Sequence, residues 1–132
     1  MMYAEPNTLS LLAAIQAITD GKITAKQLTQ SCLSRIATRD STVRAWTHLA
    51  GEAALTATKN IIKGPLHGVP IGVKDLIDTH DMPTGYGSSI YSNYQPGWDA
   101  TCVTAIRNAG GIILGKTVST EFAWFGAGKT TN

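Results

Sequence analysis

The sequence predicts an α/β fold, with helices at the N-terminus followed by a small sheet. Three observations carry this. Apolar residues recur at helical spacing twice in the first third of the chain, at Leu9, Leu11, Leu12, Ile15 and Ile18 and again at Leu28, Cys32, Leu33 and Ile36. Two short runs, Ile71-Gly72-Val73 and Ile112-Ile113-Leu114, are apolar throughout, as strands buried on both faces are. Between them lies a helical pattern holding Val103, Ile106 and Ala109. Strand, loop, helix and strand in that order predict a parallel pair with a right-handed crossover.

Taken in order, Thr8 or Ser10 can cap the first helix, and Gly21 stops it. Thr24 caps the second, and Asp20-Gly-Lys joins the two as a helical hairpin. Residues 43–49 alternate apolar and polar side chains and read as a strand, with Trp46 and His48 assigned less cleanly to its faces. Residues 52–62 form a third helix with Ala53, Leu55 and Ile61 on its apolar side. Pro70 begins the strand that ends at Lys74, a position that a proline tolerates. Residues 80–97 are rich in Gly, Pro, Ser, Asn and Tyr. A loop of that length is usually functional or covered. Asp99 can cap the fourth helix, Gly110-Gly111 ends it, and residues 118–125 begin another short helix. No internal repeat and no low-complexity segment is visible.

The bulk numbers exclude several classes of function. At 132 residues the chain is long enough to bury a core as one domain. A net charge of +2 gives no sign of nucleic acid as a partner. No apolar run reaches the roughly 18–20 residues of a membrane helix. The N-terminus, Met1-Met-Tyr-Ala-Glu-Pro, has neither the basic region nor the apolar core of a secretory signal. Cys32 and Cys102, on partly apolar helical segments, read as buried thiols rather than a disulfide and favour a reducing cytoplasm.

Lys74 is the residue around which the chemistry turns. It ends the 71–73 strand, and Leu76 and Ile77 continue the apolar run before Asp78 opens a polar loop. A lysine in such a run is either paired or kept partly neutral, because burying an unpaired ammonium is costly. A neutral amine accepts protons, which is how catalytic lysines act. Asp75 is the obvious partner, yet strand alternation sends the two side chains to opposite faces. The competing reading has Lys74 snorkelling to the surface over a buried stem. From chemistry alone the two readings stand level.

The stretch Gly64-Pro-Leu-His-Gly-Val-Pro-Ile-Gly-Val-Lys-Asp resembles the lysine-bearing segment of the amidase signature family of serine amide hydrolases. The resemblance continues through Asp81-Met-Pro-Thr-Gly-Tyr-Gly-Ser, Asp99-Ala-Thr-Cys-Val, Gly110-Gly-Ile-Ile-Leu-Gly-Lys-Thr and Thr120-Glu-Phe-Ala. These matches fall in one order over the whole second half, which makes them far more specific than one motif. The resemblance implies an α/β/α layered fold with a mixed sheet, and residues 1–132 as the N-terminal, incomplete portion of a single amidase signature domain. It implies hydrolysis of a carboxylic amide, or transfer of ammonia, through a Ser–cis-Ser–Lys triad. Lys74 matches the lysine. Both serines belong to a Gly/Ser-rich segment expected beyond Asn132, so this chain alone is expected to be inactive. In the resembling family the region of Phe122 and Ala123 borders the acyl pocket, which makes these two the candidate substrate-binding residues. No cofactor and no metal is implied. Expected partners are a small-molecule amide, and either further copies of the chain or amidotransferase partner subunits. No nucleic acid or membrane is among them, and the expected location is cytoplasmic. The alternative is a stand-alone, non-catalytic binding or structural module derived from the same fold. An open reading frame past Asn132 or a stop codon there would separate the two.

Other constellations are weaker. Residues 110–117 satisfy the Gly-x-x-x-x-Gly-Lys-Thr phosphate-loop pattern, which alone would suggest a nucleotide-binding protein. That motif needs a strand before it and a helix from its lysine, whereas here a helix precedes and Ile-Ile-Leu wants to be a strand. Asp75, Asp78, His80 and Asp81, with His67 upstream, offer oxygen and imidazole ligands but no established metal spacing, so a solvated loop is the preferred reading. Ser88 and Ser89 have no base or oxyanion donors prescribed by sequence, and turn chemistry explains them. The stripe Phe122, Trp124, Phe125 reads first as core.

Overall fold

A single turn of 3-10 helix at Pro6–Thr8 leads into α1 (Leu11–Thr19), whose start is set by Ser10, its hydroxyl accepting from the Ala13 amide. A computed structural model describes residues 5–124, 126 and 128–131. Thr24 and Gln27 form a reciprocal capping box that opens α2 (Ala25–Val43). Ala14 and Ala17 of α1 pack with Ile23, Leu28 and Val69 in a first apolar cluster. The small alanine faces let the helices of the hairpin approach closely.

Arg44, in the left-handed conformation at φ 56°, turns the chain out of α2 into β1 (Trp46–Leu49). Then follow α3 (Gly51–Ala57), β2 (Pro70–Lys74), α4 (Thr101–Asn108) and β3 (Ile112–Thr117). The sheet order is β1-β3-β2, with β3 antiparallel to β1 and parallel to β2, so the sheet is mixed. The central strand is buried along nearly its whole length. Ile113 packs with Val73, Met82 and Val103 of α4 on one face. Ile112 and Leu114 pack with Ala54 of α3 and with Cys32, Leu33 and Ile36 of α2 on the other. Helices on both faces of the sheet make the α/β/α layering that the sequence predicts. A bulge between Ile71 and Gly72 leaves Leu114 as the extra residue of β3 and resets which side chains share a face.

Several expectations need correction. The first strand starts at Trp46 rather than Val43, because α2 persists to Val43 and is stopped only by the left-handed Arg44. The third helix ends at Ala57, well short of residue 62. Asp99 does not cap α4. Its carboxylate is taken by His80 and Arg107, and Ala100 stands at the N-cap. Residues 118–124 form turns instead of a helix, since Phe122 (φ 46°) and Ala123 (φ 55°) are left-handed. Phe122 and Trp124 are exposed rather than core, and Phe125 lies outside the described residues, as do Met1 to Ala4. Both cysteines are free as expected, but Cys102 faces solvent and Cys32 is only half-buried. β2 is an edge strand, so it is not buried on both faces as its apolar composition suggested.

Candidate active site

The carboxyl ends of the parallel strands β2 and β3 deliver the chain into two loops, residues 75–88 and 118–124, which meet. Gly87, at φ 69°, lies so close to the carbonyls of Ser119 and Thr120 that a side chain there would collide with both. The Phe122 amide donates to the Tyr86 carbonyl at 2.8 Å, and the Ser88 hydroxyl donates to the Glu121 carboxylate at 2.7 Å. Between the loops opens a cleft of about 630 Å³ whose lining includes His48, Asp75, Ser88, Ser119, Glu121 and Lys129.

Lys74 ends β2, as expected, but its side chain is exposed, not buried. The reason is alternation. Val73 and Asp75 point into the face covered by α4, while Gly72 and Lys74 point to the opposite face. Trp46 reaches over Gly72, and Lys74 at the strand end is exposed. Among the described residues its amine has no hydrogen-bond or ion-pair partner. The burial that singled out Lys74 in the sequence is therefore absent from this chain.

The buried lysine is Lys116 instead. This lysine, inside β3, has 0 % exposure. Its amine donates to the Ile77 carbonyl at 2.7 Å and to the Thr84 hydroxyl at 2.6 Å, with the Thr79 hydroxyl at 3.3 Å and the Pro83 carbonyl at 3.5 Å. Asp75 lies 3.8 Å away. Burial pushes the ammonium below its ordinary pKa, while the carboxylates of Asp75, Asp78 and Asp81 push it up. Its phosphate-loop pattern is a strand: the amine's protons are used inside the protein and no loop is left to cradle an anion. The sequence signal was present, a lysine in the most apolar strand of the chain, but it was absorbed by the competing motif.

Phe122 and Ala123 follow Glu121 in the second loop and are not among the residues that line the cleft. Phe122, half-exposed at 50 %, packs edge-on against Tyr91 at 6.0 Å, and Tyr91 and Tyr94 close around Tyr86. Tyr86 is itself left-handed at φ 52° and donates its hydroxyl to Asp78 at 2.6 Å. The metal reading is answered by a cation already in place. Among the described residues His80, Asp81 and Asp99 come together, and Arg107 binds both carboxylates, donating to Asp81 at 2.8 and 2.9 Å and lying 2.9 Å from Asp99. Asp75 and Asp78 are engaged elsewhere, with the Gly85 amide and Tyr86. Ser88 is buried and accepts from the Ile90 amide as the cap of the short helix Ser89–Tyr91, as turn chemistry requires, and Ser89 is exposed.

The loop-built cleft lies beyond the carboxyl ends of the parallel strands, where ligands of open α/β sheets bind. The Amidase family profile matches residues 27–131, and the chain belongs to that family. It is 39% identical over 127 residues to a component of the glutamyl-tRNA(Gln) amidotransferase of Chloroflexus aurantiacus, covering 90% of this chain and 26% of that protein. A putative amidase, AmiD, of Mycobacterium bovis is 37% identical over 126 residues, with 89% and 26% covered. Among solved structures, native peptide amidase of Stenotrophomonas maltophilia superposes with a TM-score of 0.80 at 35% identity over 89% of this chain and 26% of that one. The chain thus spans about a quarter of the length of the curated relatives it matches.

Proposed function

We propose that this chain is the N-terminal part of a serine amidase that hydrolyses a carboxylic amide, or transfers its ammonia, through a Ser–cis-Ser–Lys triad with Lys74 as its base. The observation that carries the reading is the place of Lys74. It ends a parallel strand within the matched family segment and projects, exposed, from the end of edge strand β2 on the face opposite α4. The remaining three-quarters of such a protein would cover that face and bring both serines. Desolvated there, the amine of Lys74 takes the proton relayed from the nucleophilic serine and returns it to the leaving amine. Phe122 and Ala123, which follow the cleft-lining Glu121 in the chain, would border the acyl group. Relatives include both a peptide amidase and an amidotransferase component, so hydrolysis and ammonia transfer within a larger assembly both follow from the same acyl-serine chemistry. Two free thiols accord with a reducing, cytoplasmic setting.

The second reading, a non-catalytic module built on the same fold, is favoured by one observation: the amine of Lys74 is exposed and has no partner among the described residues. One experiment separates the two. In the full-length protein, Lys74→Ala should abolish turnover of a simple aryl amide while the protein still unfolds cooperatively, because a member of a nucleophile–base unit disables the whole unit when it is removed. A fluorophosphonate probe should label the full-length protein and leave the 132-residue chain unlabelled. Turnover retained by a folded Lys74→Ala protein, or labelling of the short chain, would overturn the triad assignment.

A further inference from the structure

We propose that Lys116 is a positioning residue for Lys74: its buried ammonium fixes Asp75 and the 77–84 loop, and through them the strand end from which Lys74 projects. The inference rests on the reading of Lys74 as the base.

The geometry is specific. Every oxygen around the Lys116 amine belongs to one short segment, residues 75–84, which begins immediately after Lys74. An ammonium has three protons in a compact, rotatable head. Two of them meet the short contacts at Ile77 and Thr84, and the third is left for the Thr79 hydroxyl, with the Pro83 carbonyl at the outer limit. Thr79 and Thr84 are themselves fully buried, so neither has water as an alternative partner. The segment is thereby folded back around a single point.

Asp75 is held on both of its ends by consecutive residues of β3. Its amide donates to the Thr117 carbonyl at 2.7 Å, and its carboxylate faces the Lys116 amine while accepting from the Gly85 amide. In the sheet register Lys74 lies opposite Thr117, and Val73 opposite Lys116. The two lysines thus occupy neighbouring rungs of one parallel ladder, on opposite faces. Lys116 has no route to the open face where Lys74 points, so it acts on the base through the backbone alone. Lys74 has no hydrogen-bond or ion-pair partner of its own among the described residues, so the backbone at 74–75 is what sets its direction. Such an arrangement matters for rate, because misplacing a reacting group by about 1 Å costs on the order of 10²-fold.

The test uses the full-length enzyme and the neutral, similarly long substitution Lys116→Met. The expected result is a fall in kcat of roughly 10- to 100-fold per site labelled to completion by a fluorophosphonate, with KM changed by less than about 3-fold. Amide hydrogen exchange at Asp75 and Gly85 should accelerate in the folded variant. Thr84→Val, which removes the shortest contact at nearly constant volume, should shift both readouts in the same direction by a smaller factor, and it decides the matter if Lys116→Met does not fold. An unchanged kcat per labelled site alongside a lowered melting temperature would overturn the proposal and leave Lys116 as a stability element only. Failure of the parent reading is seen in a different protein: Lys74→Met with Lys116 intact. Turnover there would overturn both, whereas an inactive Lys74→Met with a fully active Lys116→Met would overturn this inference alone.

Discussion

Tyr86 shows how one residue couples the loop to its chemistry. Its ring meets Tyr91 edge-on at 5.2 Å and stacks on Tyr94 at 6.1 Å, while its hydroxyl donates to Asp78 at 2.6 Å. Burial, and then the hydrogen bond and negative charge of Asp78, hold the phenol well above the ordinary tyrosine range. The folded chain therefore binds this proton more tightly than the unfolded one. The corresponding stability is complete below the unfolded tyrosine value of about 10 and is lost as pH rises above it toward the folded value. Ultraviolet titration of the phenolate band should find one tyrosine that ionises after the others, and Tyr86→Phe should remove that late step. A Tyr86→Phe protein with an unaltered titration would place the late step elsewhere. Asp78, the acceptor, lies within the segment clasped by Lys116, so the aromatic cluster and the buried ammonium brace the same turn from two sides. That bracing accounts for a left-handed φ at a residue as bulky as Tyr86, a conformation that needs surrounding contacts to hold it.

At the scale of elements, the sequence made helix starts legible and strand environments much less so. Ser10 and Thr24 are local signals, and both act as caps in the structure. Thr24 makes the stronger case, because Gln27 returns the bond to its amide. Thr24→Ala should accordingly cost about 1 kcal/mol, read as a lower midpoint in denaturant with an unchanged slope. A midpoint unmoved by the change would mean that α2 is held by packing alone. The two parallel strands were legible as well, from their uninterrupted apolar runs. Which of them is central was not, because that depends on the pairing of β1 with β3 across more than sixty residues of chain. The same non-local fact decides the fate of the two lysines. Both follow short apolar runs, so the rule that a buried lysine must be partnered applies equally to each in sequence. Central β3 makes it true of Lys116, and edge β2 makes it false of Lys74. The turn at residues 121–124 was misread for a related reason. Its left-handed Phe122 and Ala123 follow from bonds to the distant Tyr86 and Ser88, which no local propensity records.

At the scale of the whole molecule, the described fold leaves strand edges and apolar side chains exposed. The strands β1 and β2 are both edges of a three-stranded sheet. On one side of β2, Gly72 and Lys74 are open. Among the described residues Ile90 is 79 % exposed and Trp124 85 %, and the exposed Tyr91 makes ring contacts with exposed Phe122 and Tyr94. Unpaired strand edges and contiguous apolar patches promote association. Lys74 works against pairing along β2, since a charged side chain on an edge strand is a common protection against it. The exposed aromatic rings carry no charge themselves, although the exposed Glu121 adjoins Phe122 in the chain. Association of the 132-residue chain should therefore run through this aromatic cluster rather than the β2 edge. Light scattering should give an apparent mass that rises with concentration, and Trp124→Ser should reduce that rise with no loss of melting temperature, because so little of the side chain is packed. Within the full-length amidase proposed above, the same patch would be covered by the remainder of the domain or by substrate, and the concentration dependence should vanish. A short chain that scatters as a concentration-independent monomer and unfolds in one cooperative step would mean that this surface is a finished exterior, and would favour the independent module over the partial enzyme.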